Sequence, residues 1–329
     1  MVAAPILWAM PPPLPPIVHH PAFRAEMPPG HRFPMDKFSR LASLLEAEGL
    51  PGAHGFHKPE FAPLDVLRLA HADDYVRGVV ELSLPPDIVR RIGMPNSESV
   101  ATRARAATGG TILAARLALE HGIACNTAGG SHHAEAGSGA GFCVFNDVAV
   151  AARLLQAEGR VGQVLVVDLD VHQGDGTARI FEDDPSVFTF SMHAEKNFPH
   201  RKAASDLDVE LPDGTDDAAY LARLDAVLPE LLARVAPELV FFNAGVDPHA
   251  DDKLGRLSLT NAGIAAREAR VLGACLEREI PVVGVIGGGY DPDIDRLADR
   301  HAILHRTAAA LLSTQKGRPI AEPPLPYAI

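Results

Sequence analysis

Cysteine is scarce in this chain. Only Cys125, Cys143 and Cys275 occur, scattered through 329 residues. They are too few for a disulfide framework, so a reducing, cytoplasmic setting is expected. Long apolar runs are missing as well. None approaches the roughly 18 residues that a membrane-spanning helix needs. Positive charge is in deficit, with 30 Lys and Arg against 42 Asp and Glu and a net charge of −12. A general nucleic-acid binder should instead present a basic face to phosphates. The first residues carry no Lys or Arg before Arg24 and are broken by prolines, which is not the expected pattern of a signal peptide. Aromatic residues make up only 5%, with four tyrosines and one tryptophan. What is present is ample for a large core: 47% of residues are hydrophobic and 22% charged. That balance excludes a disordered chain and leaves one domain, or at most two.

Helical patterns and short apolar runs alternate along the chain. Helices are expected over 37–48, ending at Gly49, then over 97–121, 145–159, 217–235, 261–279 and 293–312. Between them lie GIAC at 122–125, QVLVVD at 163–168, SVFTFS at 186–191, LVFFNAG at 239–245 and PVVGVIGGG from Pro281. Runs apolar on both faces and separated by helices predict a doubly wound, mostly parallel α/β sheet with helices on both faces. No repeat or long linker divides the chain, so a single domain over 1–329 is expected. Its proline-containing ends, 1–20 and 316–329, read as surface wrapping or frayed tail.

Ligands of open α/β sheets bind outside the carboxyl ends of the strands. Here four such ends carry unusual sequences: NTAGGSHHAEAGSGAGF, VVDLDVHQGDG, FFNAGVDPHADD and VIGGGY. In Asp168-Leu169-Asp170-Val171-His172, the two-residue period puts Asp168, Asp170 and His172 on one face. Three ionisable groups at a buried strand end are costly without a compensating cation. Carboxylate and imidazole together suit Zn²⁺ or Fe²⁺. A catalytic metal of this kind takes about three protein ligands. The run from Gly245 to Asp252 offers Asp247, His249, Asp251 and Asp252 for the third, and spacing does not choose among them. His132 and His133 could be metal ligands, or a general base with its electrostatic partner. Asp175 is placed to orient an imidazole. Tyr290, after three glycines, could donate to a developing oxyanion. Each feature has a plainer reading alone, as a turn, a cap or a solvated loop. Their convergence on one rim favours chemistry.

These strings resemble the zinc-dependent histone deacetylases and their bacterial relatives of the arginase/deacetylase fold. The matching segments are GGSHHAEAGSGAGFCVFND, VVDLDVHQGDGT, FSMHAEKNFP, NAGVDPHADDKLGRLSLT and GGGY, in the family's order. HRFPMDKF and SDLDVELPDGT look more like the class IV and bacterial branch. The resemblance implies Asp170, His172 and Asp252 as metal ligands. It makes His133 the general base and acid with Asp175 behind it, and His132 its pair with Asp168 behind. Tyr290 would polarise the acyl carbonyl. Phe142 and Phe198 would be tunnel walls, with Leu259 a further wall, and Gly141 would offer its carbonyl to the substrate amide. A monovalent cation, usually potassium, would sit beside Asp168, Asp170 and His172, with Ser191 and Met192 near it.

The implied reaction is metal-assisted removal of an acetyl or other acyl group from lysine or a similar amine. The substrate would be an acyl-lysine peptide or a small acylated amine, acetylpolyamines included, with no nucleic acid or membrane partner. Met94-Pro95-Asn96 falls where class I members carry an aspartate that grips the peptide backbone, and it offers no acid. A two-manganese ureohydrolase of the same fold and a catalytically inactive acyl-lysine binder are the competing readings. The first needs more metal ligands around DxH, and the second should lack an essential group.

Overall fold

The structure, a computed structural model, describes residues 14–314. Seven strands form one sheet: β1 (Ile17–Val18), β2 (Ile123–Asn126), β3 (Val164–Asp168), β4 (Val187–Ala194), β5 (Leu207–Leu211), β6 (Leu239–Asn243) and β7 (Val282–Val285). All pairings are parallel, in the order β1-β2-β7-β6-β3-β4-β5. The central strands are wholly buried, which explains their continuous Val, Leu and Phe runs.

Among the described residues the α-helices are α1 (Lys37–Ala47), α2 (Leu64–Leu67), α3 (Asp73–Val80), α4 (Pro86–Ile92), α5 (Glu98–His121), α6 (Asp147–Ala157), α7 (Asp175–Ile180), α8 (Asp217–Val235), α9 (Asn261–Glu277) and α10 (Ile294–Thr314). They cover the sheet in two groups, α5 packed on α6, and α1, α10, α9 and α8 packed in succession. The stop expected at Gly49 is real. Gly49 has φ +69°, and the bonds Gly49 N–H to Glu46 O and Leu50 N–H to Leu45 O close the helix in a Schellman turn.

Two expectations shift. Residues 14–20 are not all tail, because Ile17 and Val18 are buried and pair with Cys125 and Asn126. The rest of the expected terminal segments, 1–13 and 316–329, lies outside the described residues. The edge strand β5 and the short helices α2, α3, α4 and α7 were not expected from the pattern.

The strand order fixes where a ligand can sit. The chain leaves β3 toward β4 on one side and leaves β6 toward β7 on the other. The crevice between β3 and β6 is therefore the topological switch point. In register there, Asp168 faces Asn243 on one side and Ser191 on the other.

Candidate active site

Beyond Asp168 the strand ends in a bend, and Leu169, Asp170, Val171 and His172 are all buried. His172 Nδ1 lies 3.0 Å from Asp170 Oδ1 and 3.1 Å from Asp247 Oδ2. Asp170, His172 and Asp247 each offer one ligand atom within 4.8 Å of the others, and all three are buried. Two carboxylates and an imidazole in that arrangement suit Zn²⁺ or Fe²⁺. Electrostatics agree. Burial works against a charged His172, yet its hydrogen bonds to Asp170 and Asp247 pull it up to about 10. Burial, and next Asp170, push Asp247 up to about 7.

Asp252 stands beside this cluster. Its Oδ2 accepts the Tyr290 N–H at 2.7 Å, and its Oδ1 accepts the N–H groups of Leu254 and Gly255. Of the four candidates that spacing left open, Asp247 is the one in contact with His172.

Each tandem histidine has its own aspartate. His132 Nδ1 meets Asp168 Oδ2 at 2.7 Å, and His133 Nδ1 meets Asp175 Oδ1 at 2.7 Å. Asp168 also accepts from Asn243 Nδ2 at 3.0 Å, and Asp175 accepts from Arg179 Nη1 at 2.5 Å. Burial opposes the charged form of both imidazoles. Asp168 and Asp170 overcome it at His132, which rises to about 9. At His133 burial and the neighbouring His132 prevail, and the value falls to about 4. The His133 ring lies 5.8 Å from His172, centroid to centroid.

Aromatic walls flank the histidines. Phe198, 38% exposed, sets its ring edge-on to His133 at 4.8 Å. Tyr290 lies 6.3 Å from the His172 ring and 5.9 Å from Phe142. Burial, followed by Asp247 and Asp170, keeps the Tyr290 phenol protonated well above its usual range. Phe142 has φ +68°, a conformation that costs a non-glycine residue about 1–3 kcal/mol. It is held there by its N–H to Ile92 O and by Gly141 N–H to Arg91 O. Gly141, at φ +53°, has no room for a side chain, because a Cβ would come 2.5 Å from His133 Cδ2.

Among the expected tunnel walls Phe142, Phe198 and Leu259, Leu259 alone offers the slot no exposed surface. It is fully enclosed, its backbone paired with that of Pro248 and Ala250. Ser191 bonds His193 through its hydroxyl, and Met192 is fully buried.

Three supporting residues were not foreseen. Lys37, 1% exposed, donates from Nζ to Gly287 O and Gly289 O beneath the Tyr290 turn. Arg267 donates to Leu169 O and Gly245 O, joining the segments that follow β3 and β6. Asn243 braces Asp168. The signal for the first two was periodicity. Lys37 shares the i, i+4, i+8 stripe of Leu41 and Leu45, and Arg267 shares that of Val271 and Cys275.

A parallel α/β sheet with acid-buttressed histidines, an Asp/His cluster and a tyrosine at its switch point defines the class. A sequence model of the histone deacetylase domain matches residues 31–304. The chain is 52% identical over 293 residues to an uncharacterized protein of Picosynechococcus, covering 89% of this chain and 98% of that one. It is 33% identical over 270 residues to histone deacetylase 2 of Arabidopsis thaliana, covering 79% and 70%. Identity to histone deacetylase 8 of Xenopus tropicalis is 30% over 274 residues, covering 77% and 73%. The crystal structure of the HDA15 HD domain shares the fold at TM-score 0.77 and 22% identity, over 94% of this chain and 90% of that one. The chain belongs to the histone deacetylase family.

Proposed function

We propose that this protein is a metal-dependent amidohydrolase that removes an acetyl or other acyl group from the side-chain amine of lysine or a similar amine. One observation carries the reading. His132 and His133, each tied to a buried aspartate at 2.7 Å, adjoin an Asp/His cluster and Tyr290 under one aromatic slot. We assign the metal to Asp170, His172 and Asp252, with Asp247 behind His172. Asp247 is wholly enclosed, whereas Asp252 sits on the open side next to Tyr290, where a catalytic metal keeps its free position. When bound there, a Zn²⁺ or Fe²⁺ ion supplies polarisation of the acyl carbonyl and a water of lowered pKa.

The chain's own groups do the rest. His133, neutral near pH 7, accepts the water proton through Nε2 while Asp175 holds Nδ1, and later returns it to the leaving amine. His132 stays cationic against Asp168. The Tyr290 phenol donates to the developing oxyanion, a contact whose loss costs about 3–4 kcal/mol in comparable sites. Phe142 and Phe198 flank the aliphatic stem of the substrate, whose neutral amide is cheap to desolvate. Among the described residues, Asp170, His172 and Asp247 form the one group of three that could hold a metal ion. The three cysteines are buried free thiols. No helix of the described residues is long and apolar enough to cross a membrane.

The test is Tyr290→Phe and His133→Ala in metal-loaded protein, assayed on an acetyl-lysine peptide. Both should lose most of their turnover. Undiminished rates in both would remove the assignment.

A further inference from the structure

The slot opens onto a rim whose charge runs against that of the chain. The protein as a whole carries −12, yet Arg and Lys side chains stand beside Phe142, Phe198 and Tyr290. On one side, the exposed Arg32 sets its guanidinium carbon 4.9 Å from the Phe142 ring centroid. Arg32 and Lys253 line a cavity of about 330 Å³ that Tyr290 also borders. On the other side, Phe198 projects from Glu195-Lys196-Asn197-Phe198-Pro199-His200-Arg201-Lys202, a stretch with three Lys or Arg residues and one acid. Among the described residues, Arg32, Lys196, Arg201, Lys202 and Lys253 have no carboxylate within 4.0 Å. Several nearby acids are paired with arginines, whereas Glu195 and Glu210 stand near Lys202 with no Arg or Lys within 4.0 Å. Asp291 holds Arg300 at 2.7 Å and Arg296 at 3.3 Å, Asp251 holds Arg300 at 3.0 Å, and Glu135 holds Arg91 at 2.8 Å.

Unpaired cations around an apolar slot concentrate positive potential where the part of the substrate outside the slot must lie. Resting on the deacylase reading, we infer that the substrate carries an anionic group, a carboxylate above all, close to its acylated amine. Two sources supply that chemistry: an acyl-lysine flanked by acidic residues, or a small acyl-lysine whose own α-carboxylate is free. Basic peptide tails and acetylpolyamines place positive charge against the same rim and are disfavoured.

The experiment compares three peptides that share one acetyl-lysine and differ in flanks of Asp, Ala or Lys, together with free Nε-acetyl-lysine and N-acetylputrescine. At low salt, kcat/KM for the Asp peptide should exceed that for the Lys peptide by about tenfold, chiefly through KM. The ratio should shrink as ionic strength rises past about 0.15 M, where the screening length is about 8 Å. Arg32→Glu combined with Lys253→Glu should abolish or invert it. Equal or opposite preference in the unaltered protein overturns the inference. The relative rates of the Asp peptide and free Nε-acetyl-lysine identify the source of the carboxylate. Should no acetyl compound be cleaved, the acetyl form of the deacylase reading falls. Anisotropy of the same labelled peptides then still decides the charge preference, tighter binding of the Asp peptide supporting it and equal binding overturning it.

Discussion

His132 and His133 are consecutive in the chain, with ring centroids 4.1 Å apart, and their titrations are driven in opposite directions. The cationic member lowers the other, and Asp175 partly restores it. This coupling predicts the direction of two shifts in the pH dependence of kcat/KM. Replacing His132 by Asn removes a positive neighbour, so the His133 pKa rises and the acid limb moves to higher pH. Replacing Asp175 by Asn removes a partner of the imidazolium, so the limb moves to lower pH. In magnitude, His133→Ala should lower kcat by about 10²–10⁴-fold and Asp175→Asn by about 10–100-fold. Limbs that stay put, or move the other way, would refute the assignment of His133 as base.

The two acids of the loop after β6 should separate in metal affinity. Asp252→Asn removes a proposed ligand and should weaken Zn²⁺ binding by more than about 100-fold, whereas Asp247→Asn, acting through His172, should cost about 10–100-fold. Competition with a chromophoric chelator measures both without relying on turnover. A larger loss at Asp247 would transfer the ligand role to it, as the 4.8 Å cluster with Asp170 and His172 would then require.

Most of the sheet could be read from the residues because its central strands are buried on both faces. VLVVD and LVFFN are continuous apolar runs with no competing periodicity. The edges were less legible. Leu207–Leu211 reads LDVEL, half polar because one side meets solvent, and Ile17–Val18 is two residues long next to prolines. Asp170, His172, His133 and Tyr290 stood out because strand ends concentrate polar groups at known places. The relation of Asp247 to Asp252 was not legible, since both lie on one irregular loop whose path depends on the Asp252 bonds to Tyr290, Leu254 and Gly255. Lys37 and Arg267 belong to no strand-end motif in the sequence. Only their register with buried neighbours marked them as interior, and what they hold is backbone from distant segments.

The Arg267–Glu268 pair, 2.6 Å apart and fully buried, should behave asymmetrically on mutation. Arg267→Ala strands the Glu268 carboxylate in the core and should cost about 3–5 kcal/mol in denaturant unfolding. Removing both charges with Arg267→Met and Glu268→Leu should cost far less, because no uncompensated ion remains. The double variant still loses the bonds to Leu169 O and Gly245 O. It should therefore regain stability without regaining full metal affinity. Equal stability in the single and double variants would show that a stranded carboxylate is not what destabilises Arg267→Ala.

Lys37 offers a test by stability alone. Burial draws its ammonium down from 10.5 to about 8, although Asp247 favours the charge. A lysine with a lowered folded-state pKa is protonated in the unfolded chain over a range where the native state has released its proton. Between about pH 8 and 10.5 the unfolded state binds more protons, so this residue makes stability rise with pH. Lys37→Met should remove that contribution and flatten the dependence over the same window. The substitution also frees Gly287 O and Gly289 O of their donor, so the Tyr290 turn should loosen and kcat should fall more than KM changes. Denaturant midpoints followed from pH 7 to 11 read the first effect. A slope that is the same with lysine and methionine would mean that this ammonium keeps its ordinary pKa in the fold.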